Sequence, residues 1–170
     1  MPSESSFSSI IRKDFNTVYR ENGKSILLVD APRSNKKDCD VLLYKAIENN
    51  HVDALAIELK YEKGNSINFA RVSSNQVISL KECESSNINT WVLIWFYKFK
   101  TAIALNIFAW TYLEKDFQAE SRKSIKFEEL VWFIEKLEED DRFHRCGQIL
   151  KRKKIEDKTR WEVEKLFTRR

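Results

Sequence analysis

A chain of 170 residues, 42% hydrophobic and 33% charged, is long enough to bury one core and too apolar to be disordered throughout. Its net charge of +4 is too small an excess to imply nucleic-acid binding by itself. Cys39, Cys83 and Cys146 are an odd count with no C-x-x-C spacing, which argues against a zinc site or a disulfide framework and makes a reducing cytoplasm the expected compartment.

The opening "MPSESSFSSIIRK" has no apolar h-region, so no secretory signal is expected. Phe7, Ile10, Ile11, Phe15 and Val18 fall at helical spacing and predict an amphipathic helix over 5–20. "SILLVD" (25–30) predicts a strand, followed by the polar connection "APRSNKKDC". "DVLLY" (40–44) predicts a second strand, although "LLYKAIENN" also fits a helix. "VDALAIELKY" (52–61) predicts a third, and its nearly continuous apolar middle implies burial on both faces. Ser73 or Ser74 can cap a helix through "NQVISLKECE".

Residues 91–110, "WVLIWFYKFKTAIALNIFAW", imitate a membrane span. Lys98 and Lys100 near its centre would each cost about 2.5–3.5 kcal/mol in a bilayer, so a β-hairpin with the lysines near its turn is expected instead, and no membrane partner. "FAWTYLEKDF" starts a short helix and "FEELVWFIEKLEE" (127–139) is an amphipathic one. Trp91, Trp95 and Trp132 are candidates for an interface or, more commonly, the core. The last twenty residues hold nine Lys or Arg against four acids and predict a closing helix from 154 to 167, either a solvated face or a phosphate-contacting patch. The expected organisation is a mixed α/β domain over 1–140, with a small central sheet flanked by helices, and a basic helical extension over 141–170.

One pair of charges stands out. Glu58 and Lys60 follow the apolar run Ala54–Ile57 and, two residues apart on a strand, point to the same side about 6.5–7 Å from each other. Asp38 and Asp40, just before the preceding strand, share a face by the same rule. If the two strands pair, an aspartate and Glu58 converge with Lys60 beside them. Two such carboxylates repel unless one is protonated or a cation lies between them. Mg²⁺ or Mn²⁺ suits that place, because a hard divalent ion takes carboxylate oxygens and keeps waters for chemistry. Lys60 would orient that water or neutralise charge in the transition state. Spacing alone favours a surface salt-bridge ladder, but the apolar "ALAI" directly before Glu58 argues for a core edge.

Four segments in consistent order carry a resemblance: "LLVDAPRS" (27–34); Asp38 or Asp40 followed by "AIELK"; "SSNQVISLKE" (73–82); and "WVLIWF" with the later "FAWTYL" and "RKSIKFEEL" (122–130). Together, covering about residues 5–135, they resemble the PD-(D/E)xK nuclease superfamily and within it the RecU-type Holliday junction resolvases. The resemblance implies a restriction-endonuclease-like fold, with Asp40 (preferred to Asp38) and Glu58 as metal ligands, Lys60 as catalytic lysine and Gln76 positioning water or phosphate. It also implies a two-fold homodimer acting on branched DNA. Arg33, Lys36 and Lys37 lie next to the proposed site and suit phosphate contacts.

The chain departs from the family at three places. Ser8 or Ser9 stands where its first-helix glutamate is expected, with Glu4 one turn earlier as a substitute. The stalk segment is shortened to "RSNKKDC", and the C-terminal pattern is replaced by the basic tail. The expected function is a Mg²⁺-dependent, structure-selective endodeoxyribonuclease of the Holliday junction resolvase kind. Alternatives are a repair or restriction-type nuclease and a DNA-binding or recombination protein that has lost turnover.

Overall fold

The computed structural model describes residues 3–21, 26–29, 39–46, 52–139, 146–155 and 158–167. Helix α1 spans Glu4–Glu21, and Phe7, Ile11, Phe15 and Val18, at intervals of three and four, form its buried stripe. Strands β1 (Ile26–Val29), β2 (Val41–Ala46) and β3 (Val52–Glu62) follow as an antiparallel meander. The second apolar segment is therefore strand rather than helix. A short β4 (Ser66–Asn68) leads to α2 (Ser74–Ser85), which carries the chain back so that β5 (Asn89–Phe96) runs parallel to β3. Strand β6 (Thr101–Leu105) returns antiparallel to β5, and the turn between them carries Lys98 and Lys100. Helix α3 (Ile107–Ala119), β7 (Ser124–Lys126) and α4 (Phe127–Glu139) complete the middle of the chain. Among the described residues no helix is long and apolar enough to cross a membrane, and the span-like stretch is this hairpin and the start of α3.

The C-terminal residues correct one expectation. The helix expected over 154–167 is absent; the chain forms β8 (Gly147–Ile155), β9 (Lys158–Trp161) and a short 3₁₀ helix (Val163–Phe167). Lysine and arginine tolerate a helix well, but Ile155 and Trp161 are six residues apart and give no helical stripe. Pairing of β8 with β6, and burial of Leu150, Trp161, Val163 and Leu166, decide in favour of strands.

Among the described residues the main sheet has seven strands in the order β1-β2-β3-β5-β6-β8-β9, with β4 and β7 forming a separate ribbon. Its pleat divides the core. Leu55, Ile57, Leu59, Tyr61, Trp91 and Trp95 face α1 and the 3₁₀ helix, while Ala56, Val92, Ile94, Ile103 and Leu105 face the side that α2, α3 and α4 cover. The restriction-endonuclease-like mixed α/β class expected from the sequence is what the element order shows: helix, three antiparallel strands, helix, parallel strand.

Trp91 and Trp95 are core residues; the indole N–H of Trp91 donates to the Leu166 carbonyl at 3.0 Å and ties the chain end to the central strand. Trp132 is 60% exposed. Gly147 occupies the crossing of β8 and α4, where an added Cβ would lie 2.7 Å from Cγ1 of the fully buried Ile134. Gly147→Ala is accordingly expected to cost about 1–3 kcal/mol by overpacking, read as a lower melting temperature. An unchanged melting temperature would contradict the tightness of that crossing.

Candidate active site

Strand β3 is buried across its width, so the side chains facing α2 enter a dry layer. Two of them are Glu58 and Lys60, 1% and 5% exposed. Period two puts them on one side, and Lys60 Nζ donates to Glu58 Oε1 at 2.5 Å. A buried charge without a partner is costly, and this ion pair is the immediate answer to that cost.

Asp40 reaches the pair from the start of β2. Its N–H donates to the Ile57 carbonyl at 3.1 Å, extending the ladder in which Val41 stands opposite Ile57. Its Oδ2 accepts the Leu59 N–H at 2.9 Å, which fixes the carboxylate beside the Glu58 carboxyl. Arg12 of α1 donates to the Asp40 carbonyl at 2.7 Å and holds this corner from the opposite element.

Gln76 arrives by a different route. Ser73 caps α2, accepting the Gln76 N–H, and the Gln76 side-chain oxygen accepts the Ser73 N–H at 2.9 Å. That capping box commits the amide oxygen and turns the amide nitrogen to Glu58 Oε1, at 2.5 Å. The four sequence candidates Asp40, Glu58, Lys60 and Gln76 therefore converge on one carboxyl. Asp38, Arg33, Lys36 and Lys37 lie outside the described residues.

Burial pushes the Glu58 carboxyl up to about 7, the negative charge of Asp40 adds to that rise, and Lys60 opposes it. Burial likewise raises the neighbouring Cys39 thiol to about 12, with Cys83, Glu58 and Asp40 contributing. Cys39 is thus a neutral thiol, ill suited to nucleophilic chemistry. Its place in the site left no signal in the sequence beyond adjacency to Asp40, and that of Arg12, 28 residues away, left none.

Glu4 does not take up the role of a third site carboxylate here. Its Oε2 pairs with Arg71 at 2.7 Å and accepts the Tyr61 N–H at 3.4 Å, and Arg71 also pairs with Glu62. Among the described residues no group of three or more His, Cys, Asp or Glu side chains is placed to hold a metal ion. Among the described residues the donors at this place are the carboxylates of Asp40 and Glu58. Their mutual repulsion in a dry layer fits a hard divalent cation that draws its remaining ligands from water and a phosphate oxygen.

No family model matches the chain, and no curated protein matches it. Among solved structures it is similar to Hjc of Archaeoglobus fulgidus, a Holliday junction resolvase from an archaeal hyperthermophile, with 14% identity and a TM-score of 0.40 over 58% of this chain and 76% of that one. A likeness that distant identifies no activity, and the functional reading rests on the site.

Proposed function

We propose that the chain is a metal-dependent DNA endonuclease that hydrolyses phosphodiester bonds, selective for branched DNA in the manner of Holliday junction resolvases. One observation carries the reading: Asp40 and Glu58 converge at a buried strand end with Lys60 and Gln76 on the same carboxyl. A salt-bridge ladder on an open face has no need of 1% exposure, a second carboxylate or a helix-locked amide.

Asp40 and Glu58 would hold Mg²⁺ or Mn²⁺, which would supply an activated water and charge neutralisation at the phosphate. Leu59 N–H and Arg12 keep Asp40 oriented, and the Gln76 amide keeps Glu58 oriented. Lys60, cationic and close-held, offers a proton donor and a positive charge where negative charge develops on the phosphoryl oxygens. Paired cuts across a four-way junction would need two copies of the site, hence a two-fold homodimer.

The arrangement of Glu4 favours one second reading. With that carboxylate held by Arg71, a DNA-binding protein of the same fold that no longer turns over is the alternative.

The test is incubation with a labelled four-way junction and a matched linear duplex, with Mg²⁺ and with EDTA. Paired nicks in the junction alone, abolished by EDTA, are expected. Equal cutting of both substrates would replace junction selectivity with a repair or restriction-type activity, and tight binding without cutting would establish the second reading.

A further inference from the structure

Strand β8 carries four consecutive exposed cations, Lys151, Arg152, Lys153 and Lys154. Lysines on an outermost strand commonly guard it against pairing with other chains. Here edge protection accounts for them only in part: Lys151 is flanked by Thr101 of β6 on one side and by Glu162, whose N–H donates to its carbonyl, on the other, whereas residues 152–155 pair with β9 alone.

The register assigns them to faces. Lys60 stands opposite Ile94, Ile94 opposite Ile103, and Ile103 opposite Ile149. Opposed residues share a face, and period two then places Lys151 and Lys153 on the face of Glu58 and Lys60. Arg160, opposite Lys153, joins them. Arg152 and Lys154 take the other face, where the Arg152 guanidinium lies 6.0 Å from the Trp161 ring centre.

Among the described residues, β8 beyond the pairing of Lys151 with Thr101 pairs with β9 alone, so residues 152–155 and 158–161 form a two-stranded ribbon running past the end of the sheet. The buried carboxylate of Glu162 organises its base. It accepts the Lys151 N–H at 3.1 Å and pairs with Lys153 and with Lys165, which also donates to the Ile149 carbonyl. Among the described residues Asp14 also acts on Arg160 and Glu164 on Lys153, so three acids stand near the four cations Lys151, Lys153, Arg160 and Lys165, and only Glu162 pairs directly with Lys153 and Lys165.

We propose that this ribbon face is a second contact for the backbone of duplex DNA, outside the candidate active site and at the same end of the sheet. The inference rests on the nuclease reading for its choice of polyanion. Three strand spacings separate β3 from β8 and four residues separate Ile149 from Lys153, which places the cations about 20 Å from Lys60. At 3.4 Å per base pair that is about six base pairs from the bond to be cut. Such contacts set the orientation of the duplex at this end of the sheet and read no sequence.

The test measures binding of a fluorescently labelled linear duplex in EDTA, where nothing is cut, between about 50 and 200 mM salt. Lys151→Gln with Arg160→Gln is expected to weaken binding at least about tenfold and to lower the salt slope by about 2. Arg152→Gln with Lys154→Gln removes the same charge from the opposite face and is expected to leave the slope within about half a unit of wild type. Equal losses from the two pairs would overturn the face assignment, and no loss from the first would overturn the proposal.

Should the first pair lower the melting temperature, Lys151→Gln alone, at an exposed position, is expected to lower the slope by about 1. A reduced slope in a protein that cuts nothing with Mg²⁺ would retain the ribbon and reject the nuclease. Metal-dependent cutting with an unchanged slope would do the reverse.

Discussion

Glu58→Ala and Lys60→Ala are each expected to lower metal-dependent cleavage by at least about 10³-fold while DNA binding in EDTA changes little. Each substitution also leaves a buried charge without its partner, which typically costs about 3–5 kcal/mol, so inactivity of a single variant could reflect unfolding alone. The double variant separates the two effects. Removing both charges relieves the uncompensated one, so Glu58→Ala/Lys60→Ala is expected to melt above at least one of the singles. On the proposed mechanism cleavage needs both groups and is not expected to return with stability. A double variant that regains both stability and cutting would mean that the pair is structural. Cleavage at the wild-type rate in either single would remove it from the site.

The second large effect concerns Glu162. Burial alone would raise its carboxyl, but bonds from Lys153, Lys165 and the Lys151 N–H outweigh burial and hold it down at about 2. The ordinary value is near 4.5, so the unfolded chain binds this proton more readily than the folded one. The stabilisation is therefore complete above about pH 5 and is lost as pH falls through 4.5 towards 2.

Glu162→Gln is expected to cost about 2 kcal/mol at pH 7, less than the full shift implies because Lys153 and Lys165 remain half in water. Melting temperatures would show it as a loss of about 4–8 °C for a chain of this size. The gap between wild type and variant should close as the buffer is acidified towards pH 2. A gap that stays constant from pH 7 to 3 would mean that the carboxylate is not held by its lysines.

These effects bear on what the sequence could disclose. Strand β3 was legible because an apolar run ending in Glu-x-Lys has few other homes, and α2 because a serine, Ser73 or Ser74, can cap its start; the structure makes it Ser73. The position of Glu58 and Lys60 on one face followed from period two alone. That Asp40 should meet them required the pairing of β2 with β3, a long-range fact that no local pattern contains. Gln76 entered by resemblance; the Ser-x-x-Gln pattern of its capping box stands in the sequence, but that the box turns the amide toward Glu58 depends on how α2 packs against β3.

The basic end was misread because lysine and arginine carry almost no preference that tertiary pairing cannot override. Its strands are decided by the open edge of β6 and by the buried Trp161 and Leu150. The three-residue β4 and β7 are too short to leave a period at all.

The central claim is that Asp40 and Glu58 together form a divalent-cation site. Titration of Mn²⁺ into the full chain, followed by the electron paramagnetic resonance signal of the free ion, tests it without reference to any substrate. The account predicts saturable binding of Mn²⁺ by the wild type, competed by Mg²⁺, and its loss in both Asp40→Asn and Glu58→Gln with the fold intact by circular dichroism. No saturable binding by the wild type, or binding that survives both substitutions, would contradict it.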